Sequence, residues 1–349
     1  MVHGGKETND FMEEVVYANL GHGSRSVRVG PGRGLDNGVV SVGRGRVMIL
    51  TVDPMSAIPG LGMRRSAWLS VHLIASDYTA SGCDPELALF SYNFPETMGG
   101  DEREEYVREV GAECKALGVA IAGGHTGSYP GAGFTVIGAG SMIGFAPERG
   151  YLTPSMARAG DSLVMTKCAA IEATASLALS FPAFMETRLG PDLAKKARDM
   201  YKLCTTVRDA RLAREVGLGR TGITSMHDAT EGGVLGAMEE MASASAKAFV
   251  VDSRKIPVPA EVKAVCSAFD IDPLATMGEG ALLITCAPTR VSELCGTLGR
   301  SGIPATEIGR VKAGGGLWLE REGKGPLRRR AARDPYWAAY DRSTRRRLE

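Results

Sequence analysis

No apolar run in this sequence reaches the roughly 18 to 20 residues needed to cross a bilayer. The first residues, MVHGGKETNDFMEEVV, also lack the basic-then-apolar order of a signal peptide. The expectation is a cytoplasmic protein without membrane contact. The seven cysteines (Cys83, Cys114, Cys168, Cys204, Cys266, Cys286 and Cys295) lie far apart with no CxxC pair. That argues against a zinc ribbon or a disulfide frame and for reduced, mostly buried thiols. Equally missing are GxxxxGK[ST], GxGxxG between strand and helix, HxH, HExxH and GxSxG. A P-loop, a dinucleotide-binding turn, a dedicated zinc or iron centre and a serine-nucleophile elbow therefore have no support.

Net charge is nearly absent as well, at +1 over 349 residues, but it is unevenly spread. Residues 321–349 carry ten Lys/Arg against four Asp/Glu, a surplus of six, which leaves the preceding 320 residues at −5. A solvated or dimer-packing tail is the expected reading of this basic end, and nucleic-acid binding the less favoured one.

What is present is an ordinary globular composition, 44% apolar and 23% charged, in a chain too long for a single hydrophobic core. Short apolar runs such as RVMILTV (46–52) read as buried strands. RRSAWLSVHLIASDYTASG, with Trp68, Val71, Ala75 and Tyr78 at helical spacing, reads as a helix ended by Gly82. A second helix runs through Tyr106, Val110 and Cys114, and a strand VAIA follows. The turn-rich APERGYLTPSMARAGD (146–161) breaks the pattern. Strands are then expected at SLVMTK, GITSM, AFVVD and ALLITC, alternating with helices that include a long one around 192–217. Interleaved strands and helices in both halves predict an α/β (α+β) fold in two domains, 1–150 and 151–320, followed by a tail over 321–349.

Several acids share one local setting, at an element end or in a loop beside glycine or proline: Asp36, Asp53, Asp77, Asp228 and Glu279. Carboxylates so placed are held rigidly yet reach a cleft, which is what coordination of a hard cation such as Mg2+ to phosphate requires. Taken singly, each is as readily a cap or turn residue. Glycine clusters that let backbone N–H groups approach an anion occur at Leu20–Ser26, Gly30–Gly34, Ala122–Gly127 and Thr230–Gly233, the last ahead of a helix. Among the histidines, His22, His125 and His227 lie in Gly-rich polar motifs. Each could be a general acid or base, a phosphate donor or a ligand for a softer metal. Lys167 and Glu172 straddle a strand-to-helix turn, where the lysine could reach a phosphate or form an ordinary salt bridge.

Taken in order, LTVDPM…IPGLG, LSVHLIASDYTASGCDPELA, TKCAAIEATASLA, MHDATEGGVLGAMEEMA and FDIDPLATMGEGALLI resemble one superfamily. It comprises aminoimidazole ribonucleotide (AIR) synthetase, selenophosphate synthetase, thiamine-monophosphate kinase and the hydrogenase maturation protein HypE, and the HypE branch is nearest. The resemblance spans about residues 20–311. It implies a PurM-like fold: an N-terminal mixed sheet that pairs in a homodimer, and a C-terminal α/β domain that completes an ATP cleft. It further implies Mg2+-dependent ATP use, with phosphoryl transfer activating a carbonyl or amide-type oxygen of a small-molecule or protein-bound acceptor, and a possible maturation partner. By the same resemblance Asp53, Asp77 and Asp228, with Asp36, would hold Mg2+ and phosphates. Gly123, Gly124, Thr126, Thr230, Gly232, Gly233 and Glu279 would line the nucleotide site. His125, His227 and Lys167 are the candidate catalytic groups. The sequence departs from the family in having Gly124-His125-Thr126 where most members have Gly-Asp-Thr or Gly-Glu-Thr. It also has no cysteine after Cys295, which argues against a reaction on a cysteine of its own tail. A nucleotide-binding scaffold with little turnover, or a small-molecule kinase, is the alternative.

Overall fold

A computed structural model describes residues 5–321, 324–329 and 333–345. Its thirteen strands are β1 (Val27–Val29), β2 (Gly38–Gly43), β3 (Arg46–Ser56), β4 (Leu87–Pro95), β5 (Ala120–Tyr129), β6 (Val136–Pro147), β7 (Ser162–Thr166), β8 (Ile223–Asp228), β9 (Ala248–Asp252), β10 (Leu282–Cys286), β11 (Ala305–Lys312), β12 (Gly316–Arg321) and β13 (Lys324–Arg329). They form a six-stranded sheet in the order β1-β2-β3-β6-β4-β5 and a seven-stranded sheet in the order β13-β12-β9-β11-β7-β10-β8. Both are mixed, with β4/β5 and β12/β9 the parallel pairs.

Alternation dictates which face of the first sheet is covered. On β3, Val47, Ile49, Thr51 and Met55 are buried while Val52 is exposed. On β4, Ala88, Phe90, Tyr92 and Phe94 are buried while Leu89 is exposed. The buried rows pack against the helices Met63–Thr79 and Gly100–Leu117, whose Ala67, Val71, Ile74, Tyr106 and Val110 complete that core. The opposite face leaves Val52, Leu89 and Val136 open to solvent.

Three features differ from what periodicity predicts. The strand read as VAIA continues as β5 through Gly123, Gly124, His125 and Thr126 to Tyr129. Its glycines permit close strand contact rather than a turn, since a Cβ on Gly124, at φ +155, would lie 2.0 Å from the Phe90 carbonyl oxygen. β4, with its alternating LALFSYNFP, is a strand that the apolar-run criterion passes over. The helix expected over 192–217 is broken into Pro191–Asp199, a 3-10 turn at Met200–Leu203 and Val207–Arg214. At that break the Thr205 carbonyl accepts from the Lys167 ammonium (2.8 Å) and the Thr206 N–H donates to Ser76 Oγ (2.9 Å), so neither group continues a helix.

The basic tail, expected to be solvated or to pack between protomers, instead contains the helix Tyr336–Arg345, which lies on the second domain's own core. Tyr336 and Ala339 are buried there, and the Tyr336 hydroxyl lies 2.8 Å from Ser176 Oγ. Residues 330–332 and 346–349 of that tail lie outside the described residues.

Candidate functional site

Four of the acids singled out by their setting converge where the two sheets meet. Asp53 sits on the helix-facing side of β3 opposite Gly140. Asp77 is on the last turn of the Met63–Thr79 helix, Asp36 is in the loop before β2, and Asp228 ends β8. Backbone ties fix their positions: the Asn37 amide donates to the Asp77 carbonyl at 2.7 Å, and the Thr51 hydroxyl to the Asp36 carbonyl at 3.0 Å. β8 pairs with β10 so that Asp228 lies opposite Leu282, with Glu279 in the turn just before β10.

Burial first, then the charges of Asp228, Asp36 and Glu231, push the Asp53 carboxyl up to about 7. Asp77 is raised well above the ordinary carboxylate range by burial and by Asp228 and Asp53. Asp228 and Glu279 rise for the same two reasons, and Glu172, buried beside Glu231 and Asp334, rises to about 8. Like charges crowded in a low-dielectric pocket cannot all ionise without a cation. None of the four carboxyl oxygens of Asp228 and Glu279 accepts a well-formed hydrogen bond, and orphaned buried oxygens of this kind call for a missing partner.

His227 shows where part of the compensation already lies. Its Nδ1 is 2.8 Å from Asp36 Oδ2, an ion-pair contact without the alignment of a hydrogen bond, and 3.8 Å from Asp228 Oδ1. Its Nε2 is 3.1 Å from Glu240 Oε2. Burial alone would lower the imidazole pKa, but Asp36 and Glu240 override it and hold the ring well above its ordinary value, as an imidazolium. Asp36, which burial would raise, is in turn brought down to about 2 by His227. His227 is thus an internal counter-ion with both nitrogens engaged. That does not suit the open acid–base role expected for it.

Among the described residues Asp36, His227 and Asp228 form a group whose ligand atoms lie within 4.8 Å of one another. With Asp53 and Asp77 alongside, the donor set is dominated by carboxylate oxygens, which fits a hard divalent cation such as Mg2+.

Other expected members fall elsewhere. Lys167 donates to the Thr205 and Gly280 carbonyls at 2.8 and 2.6 Å and pairs with Asp209 at 2.7 Å. All three of its protons are committed, so it braces the fold and does not reach a phosphate. Gly123, Gly124, His125 and Thr126 lie on the edge strand β5, three strands from β3 or about 14 Å at ordinary strand spacing. His125 is exposed on the side away from the helices, with Nε2 2.6 Å from the Tyr129 hydroxyl. Within one chain these residues do not join the acids.

The Thr230–Gly233 turn does lie beside them. Gly233 (φ +61) must be glycine there, because a Cβ would come within 2.6 Å of the Thr276 carbonyl. The Gly232 N–H, however, is already taken at 2.8 Å by Asp334, which also accepts from the Thr276 hydroxyl at 3.1 Å. Four residues at this site carry little sequence signal: Lys6, Glu231, Glu240 and Asp334. Glu240 alone had one: of the two adjacent acids in a largely apolar helix, it is the one seven positions after Gly233 and so on its face.

Residues 34–146 match the AIR synthase related protein, N-terminal domain, and residues 158–320 match the AIR synthase related protein, C-terminal domain. The chain belongs to the AIR synthase related family. Its kinship within that family is with enzymes and lies toward the HypE branch. Carbamoyl dehydratase HypE of Rhizobium leguminosarum bv. viciae is 27% identical over 264 residues, covering 73% of this chain and 70% of the relative. A putative hydrogenase expression/formation protein of Methanocaldococcus jannaschii is 25% identical over 286 residues, 80% of each chain. Selenide, water dikinase of Clostridium botulinum is 29% identical over 185 residues, 52% of this chain and 48% of the relative. Among solved structures, HypE in a HypE–HypF complex superposes with TM-score 0.73 at 18% identity, covering 92% of this chain and 99% of that one. HypE in complex with ATP gives 0.68 at 20% identity, covering 96% and 97%. ThiL complexed with AMPPCP and TMP gives 0.68 at 18%, covering 93% and 99%. These likenesses show the two-domain AIR synthase related fold.

Proposed function

We propose that this AIR synthase related protein is an ATP- and Mg2+-dependent enzyme that activates a carbonyl or amide-type oxygen by phosphoryl transfer. The observation that carries the reading is the convergence of Asp36, Asp53, Asp77 and Asp228 from both domains into one group, buried at Asp77 and Asp228 and half-buried at Asp36 and Asp53, in which both Asp228 oxygens lack a hydrogen bond. Asp53, Asp77 and Asp228, with Asp36, would hold the cation, which when bound neutralises phosphate charge and orients the transferred group. His227, pinned between Asp36 and Glu240, keeps a fixed positive charge at the rim of that group and sets the direction of Asp36. The Thr230–Gly233 turn, which packs Gly233 against the Thr276 carbonyl, would keep the adjoining Asp228 in place inside the cleft. The HypE structure with ATP and the ThiL structure with AMPPCP support nucleotide binding by the same fold.

The apolar outer face of the first sheet, with Val52, Leu89 and Val136 exposed, supports a homodimer formed through that sheet. The HypE–HypF complex supports a maturation partner for this chain as well. No helix among the described residues is long and apolar enough to cross a membrane.

Purified protein with ATP and Mg2+ tests the reading: nucleotide binding and turnover are expected, and both should collapse in Asp228→Ala. Absence of binding, or an Asp228→Ala variant that behaves as wild type, would sink it. A second reading, a nucleotide-binding scaffold with little turnover, is favoured by one observation: His125, standing where the family resemblance leads one to expect an acid, lies on an outer strand away from the other acids. Hydrolysis unchanged by Asp53→Asn, with ATP still bound, would select the scaffold.

A further inference from the structure

The segment that carries Lys6 lies across the mouth of the acid cleft. The Lys6 backbone N–H donates to Glu231 Oε2 at 2.5 Å, and its ammonium stands 3.2 Å from Thr230 Oγ1 and 3.5 Å from Glu240 Oε1. Its charge also faces Asp36, Asp53 and Asp77, the carboxylates that the proposed cation would need. The seat is built from the other end of the chain too: Glu231 Oε1 accepts the Trp337 indole N–H at 3.0 Å, which fixes the carboxylate that clasps Lys6. Gly5, at φ +105, fits closely there, since a Cβ would lie 2.7 Å from Glu231 Oε2 and 3.0 Å from the Trp337 ring. Half of the Lys6 side chain remains exposed (51%), so the stem lies at the entrance with only its head inside.

We propose that Lys6 is a tethered counter-ion of the acid cleft, competing with divalent cations for the same carboxylates, and that its segment lifts from Glu231 when a cation enters. The proposal rests on the reading of the cleft as a divalent-cation site and adds to it a residue that sets cation affinity. A monovalent charge held by one clasp satisfies only part of the acid surplus, so a divalent cation can displace it. While seated, it lowers the apparent affinity by the fraction of molecules it holds closed.

The test is calorimetric titration of Mn2+ alone into the full chain, without nucleotide. Lys6→Met is expected to bind Mn2+ about three- to tenfold more tightly than wild type, the factor that loss of one half-exposed charge partner produces. Gly5→Val, which unseats the segment while keeping the ammonium, should shift affinity in the same direction, and Lys6→Arg should stay within about twofold of wild type. In wild type the Lys6 amide, protected by Glu231, should lose hydrogen-exchange protection as Mn2+ is added. Wild-type uptake with equal or weaker binding in Lys6→Met overturns the tethered counter-ion alone. No Mn2+ uptake by wild type or any variant overturns the cation-site reading along with it.

Discussion

Lys167 separates a bracing role from a catalytic one, and the structure gives the magnitude. The Lys167 and Asp209 side chains are 9% and 2% exposed, and the ammonium has Asp209, the Thr205 carbonyl and the Gly280 carbonyl as its partners. Lys167→Met leaves a buried carboxylate without its cation, which costs about 3–5 kcal/mol. Adding Asp209→Leu removes the stranded charge and leaves only two carbonyls short of a donor, at about 1 kcal/mol each. The double variant should therefore recover about 1–3 kcal/mol relative to Lys167→Met, a recovery that contact between the two side chains makes non-additive. Urea unfolding of wild type, both single variants and the double variant reads that coupling directly. Nucleotide affinity of the folded double variant should match wild type. A Lys167→Met protein of wild-type stability, or a stable double variant that has lost nucleotide binding, would refute the bracing role.

The carboxyl of Asp53, raised to about 7 by burial and its acidic neighbours, must release a proton when a cation binds. Mn2+ affinity should then be about tenfold weaker at pH 6 than at pH 8, and a flat profile in calorimetry would contradict it. Because the folded value lies above the unfolded one, the cation-free protein should be more stable near pH 5 than near pH 8. That stability is lost as pH rises through about 7, which urea midpoints at the two pH values check. Asp334→Ala removes the acceptor for the Gly232 N–H and the Thr276 hydroxyl. A loss of about 1–2 kcal/mol in urea unfolding is expected, and Thr276→Ser, which keeps the hydroxyl, should be neutral.

Much of this architecture is legible in the sequence because it rests on short-range signals. The strand that carries Asp53, the helix whose last turn holds Asp77 and the strand that ends in Asp228 each follow from an apolar run and a turn residue beside it. Their common setting marks the four acids before any distance is known. The signals fail where a distant residue decides local structure. Gly123 and Gly124 read as a loop because glycine pairs usually turn, yet the close approach of Phe90 on β4 makes them strand. The helix over 192–217 is interrupted by the Thr206 N–H donating to Ser76 and the Thr205 carbonyl accepting from Lys167, residues 130 and 38 positions away. Lys6 and Asp334 reach the site from the two ends of the chain, and no spacing within a window of the sequence links either to Glu231 or Gly232.

His227 is the residue whose role the sequence leaves most open, and its surroundings divide the cleft into two parts. Asp36 and Glu240 are both held below the ordinary carboxylate range, Glu240 by Lys6 and then His227, Asp36 by His227 and then Lys6, with the imidazolium between them. Asp53, Asp77, Asp228 and Glu279 are all held above it, and the cations beside them among the described residues are the His227 imidazolium, 3.8 Å from Asp228, and the ammonium of Lys6 at the entrance, which faces Asp53 and Asp77. The first part has its charge settled; the second does not. An imidazolium with both nitrogens turned to carboxylates offers no lone pair to a metal. Although His227 lies within ligand distance of Asp36 and Asp228, on the proposed reading a hard cation would be held by Asp53, Asp77 and Asp228, with Asp36, and flanked by His227 rather than bound by it. Protons, Lys6 and a divalent cation are then three competitors for one set of oxygens. For that reason the pH dependence of cation binding and its response to Lys6→Met should weaken one another: at pH 6, where protons already occupy Asp53, removal of the lysine should matter less than at pH 8.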